Sequence, residues 1–347
     1  MVARKWVMGV LLIVIIVAVI AVAAYYFVLE PAAPETRVAL VLPGAKDDLS
    51  WNEMAYHGLE RIESELGYTT SYAEWVSPPD AETFIRSYAS DGYTVILVHD
   101  FLMGDAMFKV AEDYPDVKFV WSGGYYGYWE EPAPNVYYWM QRTHEGGYLC
   151  GWLAAGMTEV GTVGLVNAYP APTLLASAEG FKQGVEGYEE EHGTTVTMME
   201  IYTYDWEDAA KAKEAALSQI DLGADLIFCS GDHMVYGAAE ACKDREVWYI
   251  GGIGDQHTLA PDVTLTSLLW RVDNVLVDIV PKILDGTVNC NTTYFYDLKN
   301  GGIELAPYYD LESDISQALR NEIEQVAADI KAGLIEVEFR EEITPVG

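Results

Sequence analysis

Positive charge is what this chain has least of. Twenty Lys and Arg stand against 54 Asp and Glu, a formal net charge of −34 at pH 7. A surface that acidic repels phosphate backbones, which argues against nucleic acid as a partner. The acid is spread along the chain rather than gathered in a tail, so it reads as a solvated, self-repelling surface. Cysteine is scarce too. Cys150, Cys229, Cys242 and Cys290 allow three pairings if all are oxidised, and the sequence leaves their state open. Enzyme signatures are missing: there is no GxSxG elbow, P-loop, HExxH or CxxC. Gly251-Gly252-Ile253-Gly254 follows an apolar run but lacks the last glycine of a dinucleotide fingerprint and a helix for it to open. No catalytic residue, metal ligand or cofactor is therefore expected.

Uncharged apolar runs are short, with one exception. Residues 6–28 carry no charge. At ~1.5 Å per residue such a helix crosses a ~30 Å hydrocarbon core. Arg4 and Lys5 precede it and Glu30 and Glu35 follow, an asymmetry that keeps the amino terminus inside and the rest outside. No cysteine lies near it for lipid attachment, although the small residues at 21–24 could serve as a cleavage site. The expectation is an amino-terminal transmembrane anchor or signal over 1–30 and a Pro/Ala linker over 31–36. The Asn291-Thr292-Thr293 sequon suits an exterior face.

At 347 residues the remainder is too long for one ordinary core, so two lobes are expected. Short apolar runs alternate with helical periodicity. Strands are expected at 38–42, 70–75, 94–98, 118–121 and 135–139, with helices at 51–66, 81–90 and 103–113 between them. Wholly apolar runs such as Val95-Ile96-Leu97-Val98 mark a parallel sheet covered on both faces. A helix from 142 to 156 follows, and the alternation then restarts: strands at 162–166, 196–202, 226–229 and 247–250, helices at 176–190, 206–222 and 236–243. The tail reads as strand 263–269, helix 272–284, strand 294–298 and a helix over 314–331 capped by Ser313, so the chain crosses between lobes more than once.

The rim beyond the carboxyl ends of parallel strands is where α/β sheets bind ligands. Two tryptophans fall there in matched positions. Ser50 followed by Glu53 has capping-box spacing and puts Trp51 at the first position of its helix; Asp205 as cap does the same for Trp206. The pair suggests a flat ligand held between lobes. The polar rim candidates are Asp48, Asn52, Asp100 beside His99, Asp232 beside His233, and Asp255 beside Gln256. The His/Asp pairs have the donors for metal or acid–base work. Hydrogen bonding to a ligand or to loop backbone is the commoner use of such residues. Trp270, ending its strand near a crossover, suits hinge packing as well as ligand contact; Trp121, Trp129 and Trp139 read as packing.

Five motifs, in order, resemble the basic membrane protein family: Asp47-Asp48-Leu49-Ser50-Trp51-Asn52, Gly180-Phe181-Lys182-Gln183-Gly184, Trp206-Glu207-Asp208-Ala209-Ala210-Lys211, Gly223-Ala224-Asp225-Leu226-Ile227 and Gly254-Asp255-Gln256. The match is colinear over roughly 37–335. What the resemblance implies is a two-lobed type I periplasmic-binding fold with three crossovers, delivering nucleosides or purines to an ABC transporter permease. Lobe 1 would hold 37–140 and 268–295, lobe 2 the segments 141–267 and 296–347. A base would stack between aromatics matched by Trp51 and Trp206. Nucleoside receptors of the family hold ribose with an acid and a lysine at positions that read Ile253 and Trp270 here, whereas adenine-type receptors carry Trp at the second place. The resemblance therefore points to a purine nucleobase or nucleoside-like ligand, nearer the nucleobase branch, with Trp51, Asn52, Asp48, Asp100, Trp206, Asp232, Asp255 and Trp270 as ligand-binding candidates. A structural or sensory surface protein on the same fold is the alternative.

Overall fold

The computed structural model describes residues 15–19, 35–124, 133–340 and 342. Trp129 and most of the expected anchor, 6–28, lie outside the described residues; within the anchor 15–19 is helical. Among the described residues no helix is long and apolar enough to cross a membrane. The amino-terminal 36 residues form one unit, and Arg37–Gly347 form a second that holds both sheets.

The first set of units runs β1 (Arg37–Val41), α1 (Trp51–Leu66), β2 (Thr69–Ala73), α2 (Ala81–Ser90), β3 (Val95–Val98), α3 (Gly104–Asp113), β4 (Lys118–Ser122) and β5 (Val136–Gln141). The second runs α4 (Thr143–Met157), β6 (Thr162–Asn167), α5 (Pro172–His192), β7 (Thr197–Tyr202), α6 (Ala209–Asp221), β8 (Leu226–Ser230), α7 (Val235–Arg245), β9 (Trp248–Ile253) and β10 (Thr264–Trp270). After these come α8 (Val272–Leu284), β11 (Thr293–Tyr296), β12 (Ile303–Leu305) and α9 (Gln317–Ala332).

The strands form two six-stranded sheets, ordered β11-β5-β4-β3-β1-β2 and β12-β10-β9-β8-β6-β7. All pairings are parallel except β12 against β10. The chain thus passes between sheets three times: after β5, after β10 and after β11. Central strands are buried end to end, as β3 (Val95–Val98) shows, because helices cover both sheet faces. Three clusters of buried side chains result, one on each face of the first sheet and one through the second lobe.

One motif, Gly180–Gly184, acts within the scaffold. Gly180 and Gly184 let α5 lie directly on α4. A Cβ at Gly180 would come 2.1 Å from the His144 carbonyl oxygen, and one at Gly184 2.0 Å from that of Tyr148. Between them Lys182, fully buried, reaches Glu179 at 2.7 Å and Glu200 at 2.8 Å.

Several expected caps are made by different residues. Ser50 does not cap α1; Asp48 does, accepting from the amides of Ser50 and Glu53 on one oxygen and of Asn52 on the other. Glu53 reaches back to Leu49 N–H at 2.7 Å instead of to Ser50. The helix expected from Trp206 begins at Ala209, capped by Asp208, which accepts from Lys211 N–H. Asp205 instead turns the preceding loop by accepting from the amides of Glu207 and Asp208. Ser316, not Ser313, caps α9. In each case short polar residues crowd the helix start, and the one whose side chain meets free N–H groups wins. The three-residue strand β12 is not among the strands expected from sequence. All four cysteines are unpaired thiols, Cys290 half-buried and the others buried. Asn291 is exposed.

Candidate functional site

The site grows from the carboxyl ends of the two sheets. β1 leads into the loop where Asp48 turns the chain into α1. Four donors converge on that carboxylate, including the Asn52 side-chain amide at 2.7 Å. Burial pushes the Asp48 carboxyl up, and the Glu53, Asn52 and Ser50 donors pull it back. Its hydrogen bonds are thus largely engaged in building the loop. Asn52 is 1% exposed, and its Oδ1 is buried with no hydrogen-bond partner.

Trp51, at the start of α1, stacks on His99 at the end of β3, with ring centroids 4.0 Å apart. Its other ring neighbours are Trp270, edge-on at 5.8 Å, and Trp139, tilted at 6.2 Å. Burial drives the His99 imidazole down to about 3, so it is neutral. Since a carbonyl only accepts, His99 Nε2–H donates to Trp51 O at 3.0 Å, and Nδ1 is left to accept from the Ser122 hydroxyl at 2.9 Å. Both ring nitrogens are used, and His99 is the shelf beneath Trp51. Asp100, next in sequence, accepts from Leu102 N–H, and burial lifts it to about 6.

From the second lobe the loop after β8 carries Gly231 and Asp232. The Ser50 hydroxyl donates to the Gly231 carbonyl at 2.8 Å, joining the two lobes. A few residues on, Met234 N–H donates to the Trp206 carbonyl at 3.1 Å, so one loop touches both tryptophan-bearing segments. The half-buried Trp206 ring tilts against Tyr169 at 5.1 Å. Asp232 is raised well above the usual carboxylate range, first by burial and then by the Asp48 and Glu207 carboxylates, with Ser50 opposing. Its Oδ1 is buried without a partner.

Trp51, Asp48, Asn52, Asp100, Asp232 and Trp270 are thus brought together, and the 231–234 loop ties Trp206 to them. Asp255 is engaged elsewhere, accepting from His257 N–H and from the Tyr309 hydroxyl. Gln256 is wholly buried and braces its own turn, bonding Tyr249, Gly252 and Ser267. Trp270 is 1% exposed, and its indole N–H has no partner. Two residues of the rim are missing from the candidates expected from sequence. Asn167 and Ser230 end β6 and β8 side by side, and Asn167 Oδ1 and Ser230 Oγ are both buried and unpartnered. Their place at strand ends is the available signal. Among the described residues no cluster of three or more His, Cys, Asp or Glu is placed to hold a metal ion. What the arrangement offers is flat aromatic surface with convergent hydrogen-bonding atoms, the chemistry of recognition.

Two α/β lobes with a polar, aromatic-rich junction at their strand ends define a two-lobed, periplasmic-binding-protein-like fold. A solute-binding protein of an ABC transporter system from Aeropyrum pernix K1 superposes with a TM-score of 0.77 at 22% identity, covering 88% of this chain and 94% of that one. The profile of the Bmp family, described as ABC transporter substrate-binding protein PnrA-like, matches residues 35–341, and the chain belongs to that family. Among its relatives, a purine-binding protein of Brucella abortus is 28% identical over 305 residues, 87% of this chain and 83% of the relative. The transcriptional activator protein Med of Bacillus subtilis is 26% identical over 285 residues, 82% of this chain and 86% of the relative.

Proposed function

We propose that this protein is a membrane-tethered, extracytoplasmic receptor that closes its two lobes on a purine nucleobase and presents it to an ABC transporter permease. The observation that carries this reading is the convergence of unsatisfied buried atoms, Asn52 Oδ1, Asp232 Oδ1, Asn167 Oδ1 and Ser230 Oγ, on a rim that carries the Trp51 and Trp206 rings. Buried polar atoms without partners cost free energy. A heteroaromatic base edge would supply both donors and acceptors to them. The purine-binding relative supports the same ligand class. Tethering rests on residues 6–28, and exposed Asn291 in its sequon suits an outside face.

A base is favoured over its nucleoside. Ribose brings hydroxyls that lose water on closure, and each one left unpaired costs about 1–3 kcal/mol. Ile253 and Trp270 stand where the nucleoside-type receptors place an acid and a lysine, and both are 1% exposed. Titration calorimetry with adenine, guanine, adenosine and guanosine tests this: bases should bind more tightly. Nucleosides binding about ten-fold tighter, ~1.4 kcal/mol, would refute it.

The Med relative favours a second, regulatory reading, in which the ligand signal is sensed rather than transported. The charge of −34 argues against direct contact with nucleic acid in that case. Loss of purine uptake in a deletion strain would support transport; intact uptake with altered transcription would support regulation.

A further inference from the structure

Apart from the Ser50 hydrogen bond, the lobes meet at a second point on the rim, where a glycine of one lobe faces the bare backbone of the other. Gly254 follows β9. A Cβ built on it would lie 2.3 Å from the Leu49 carbonyl oxygen, 2.8 Å from the Leu49 carbonyl carbon and 3.1 Å from Ser50 N. All three nearest atoms belong to the other lobe. Leu49 presents that carbonyl from a left-handed backbone, φ +54°, which its residue type adopts at a cost. The Glu53 carboxylate bonded to its amide holds it there, and Asp48 fixes the residue after it. The second lobe therefore sits directly against this fixed carbonyl, and Ser50 reaches past it to the Gly231 carbonyl.

We propose that Gly254 is a positioning residue for closure: the absence of a side chain there lets the lobes meet, and together with the Ser50–Gly231 bond it sets how tightly the receptor closes on its ligand. The proposal builds on the reading of the protein as a closing receptor but not on the identity of the ligand. The backbone at Gly254 is not left-handed, so alanine there is compatible with a folded, open protein. The methyl group meets the Leu49 carbonyl only as the lobes come together. Backbone cannot swing aside as a flexible side chain does, so the closed state loses population while each lobe stays intact. Apparent affinity then falls in proportion to the closed fraction.

The test combines small-angle scattering, thermal melting and adenine titration on the wild type, Gly254→Ala and Ser50→Ala. The wild type, as purified or with adenine, should give the scattering profile of the closed structure. Gly254→Ala should keep the wild-type melting temperature without ligand, remain expanded under the same conditions and bind about ten-fold or more weakly. Ser50→Ala, which loses only one bond, should show a smaller loss of affinity in the same direction. If Gly254→Ala closed and bound like the wild type, or melted well below it, the proposal would be overturned, as it would by a wild type that never gave the closed profile. A wild type that is closed as purified and opened by Gly254→Ala, yet bound none of the four purines, would uphold the closure stop and refute the purine reading.

Discussion

The Trp51 indole lies face to face on the His99 imidazole, with planes 22° apart and one His99 nitrogen donating to Trp51's own carbonyl. An aromatic of the candidate site is thereby fixed by a histidine that cannot itself take up a proton in the neutral range. The arrangement separates two jobs that the sequence leaves merged, since a histidine at a strand end is as plausible a ligand contact as a support.

Trp51→Ala and Trp206→Ala should each weaken purine binding by about 1–3 kcal/mol, the usual range for base–aromatic stacking. The structural consequences should differ. Trp206 packs against the second-lobe core alone, whereas Trp51 packs against the cores of both lobes, so Trp51→Ala should lower the melting temperature more. Calorimetry paired with thermal melts of both variants checks this.

His99 and Asp100 should impose opposite pH dependences on stability. Folding depresses His99 from 6.5 to about 3, so the unfolded chain binds the extra proton and stability is lost as pH falls below about 6.5. Folding raises Asp100 from 3.8 to about 6, so here the folded chain holds the proton, and stability is lost as pH climbs from about 4 to 6. Each contributes a slope of up to ~1.4 kcal/mol per pH unit, with opposite signs where the windows overlap. Asp100→Asn should therefore make stability rise more steeply with pH between 4 and 6, and His99→Gln, which leaves the Asp100 slope unopposed, should make it fall with pH there. Denaturant melts across that range read both slopes.

Gly184→Ala should cost about 1–3 kcal/mol of stability, the usual penalty for overpacking, because its methyl would meet the Tyr148 carbonyl at 2.0 Å. Ligand affinity should change little once the protein is folded. Urea unfolding gives the first number and calorimetry the second.

Lys182→Met should be costlier, about 3–5 kcal/mol, because it removes the buried ammonium that Glu179 and Glu200 share inside the second lobe, although Arg340 stays 3.7 Å from Glu179. A urea melt at pH 7 measures the loss.

The alternation of strands and helices was legible because it rests on local rules. Val95-Ile96-Leu97-Val98 is apolar at every position, and α1 and α8 keep a helical period to their last residue. The helix caps were less so. Asp48, Ser50 and Glu53 all have the chemistry to cap α1, and the choice was made by Gly231 of the other lobe, which takes the Ser50 hydroxyl. β12 (Ile303–Leu305) is a strand only because the free edge of β10 receives it. Trp51 and Trp206, read from their place after strands, do stand in the segments that follow β1 and β7. Asn167 and Ser230 stand equally at strand ends, but nothing in the sequence says that their side chains lack partners.

The three passages between sheets also govern the order in which the molecule can be finished during synthesis. The first sheet needs β11 beside β5, and α1 needs α8, whose Leu276 packs against Gly58. Both late elements come after the whole of the run from β6 to β10. The half of the protein made first is therefore completed only after that run has been made, and it must wait, with the Trp139 edge of its sheet unpaired, for residues 272–296. A single cut anywhere between β1 and β12 leaves at least one lobe in two pieces, and neither lobe can be obtained whole as a single contiguous fragment.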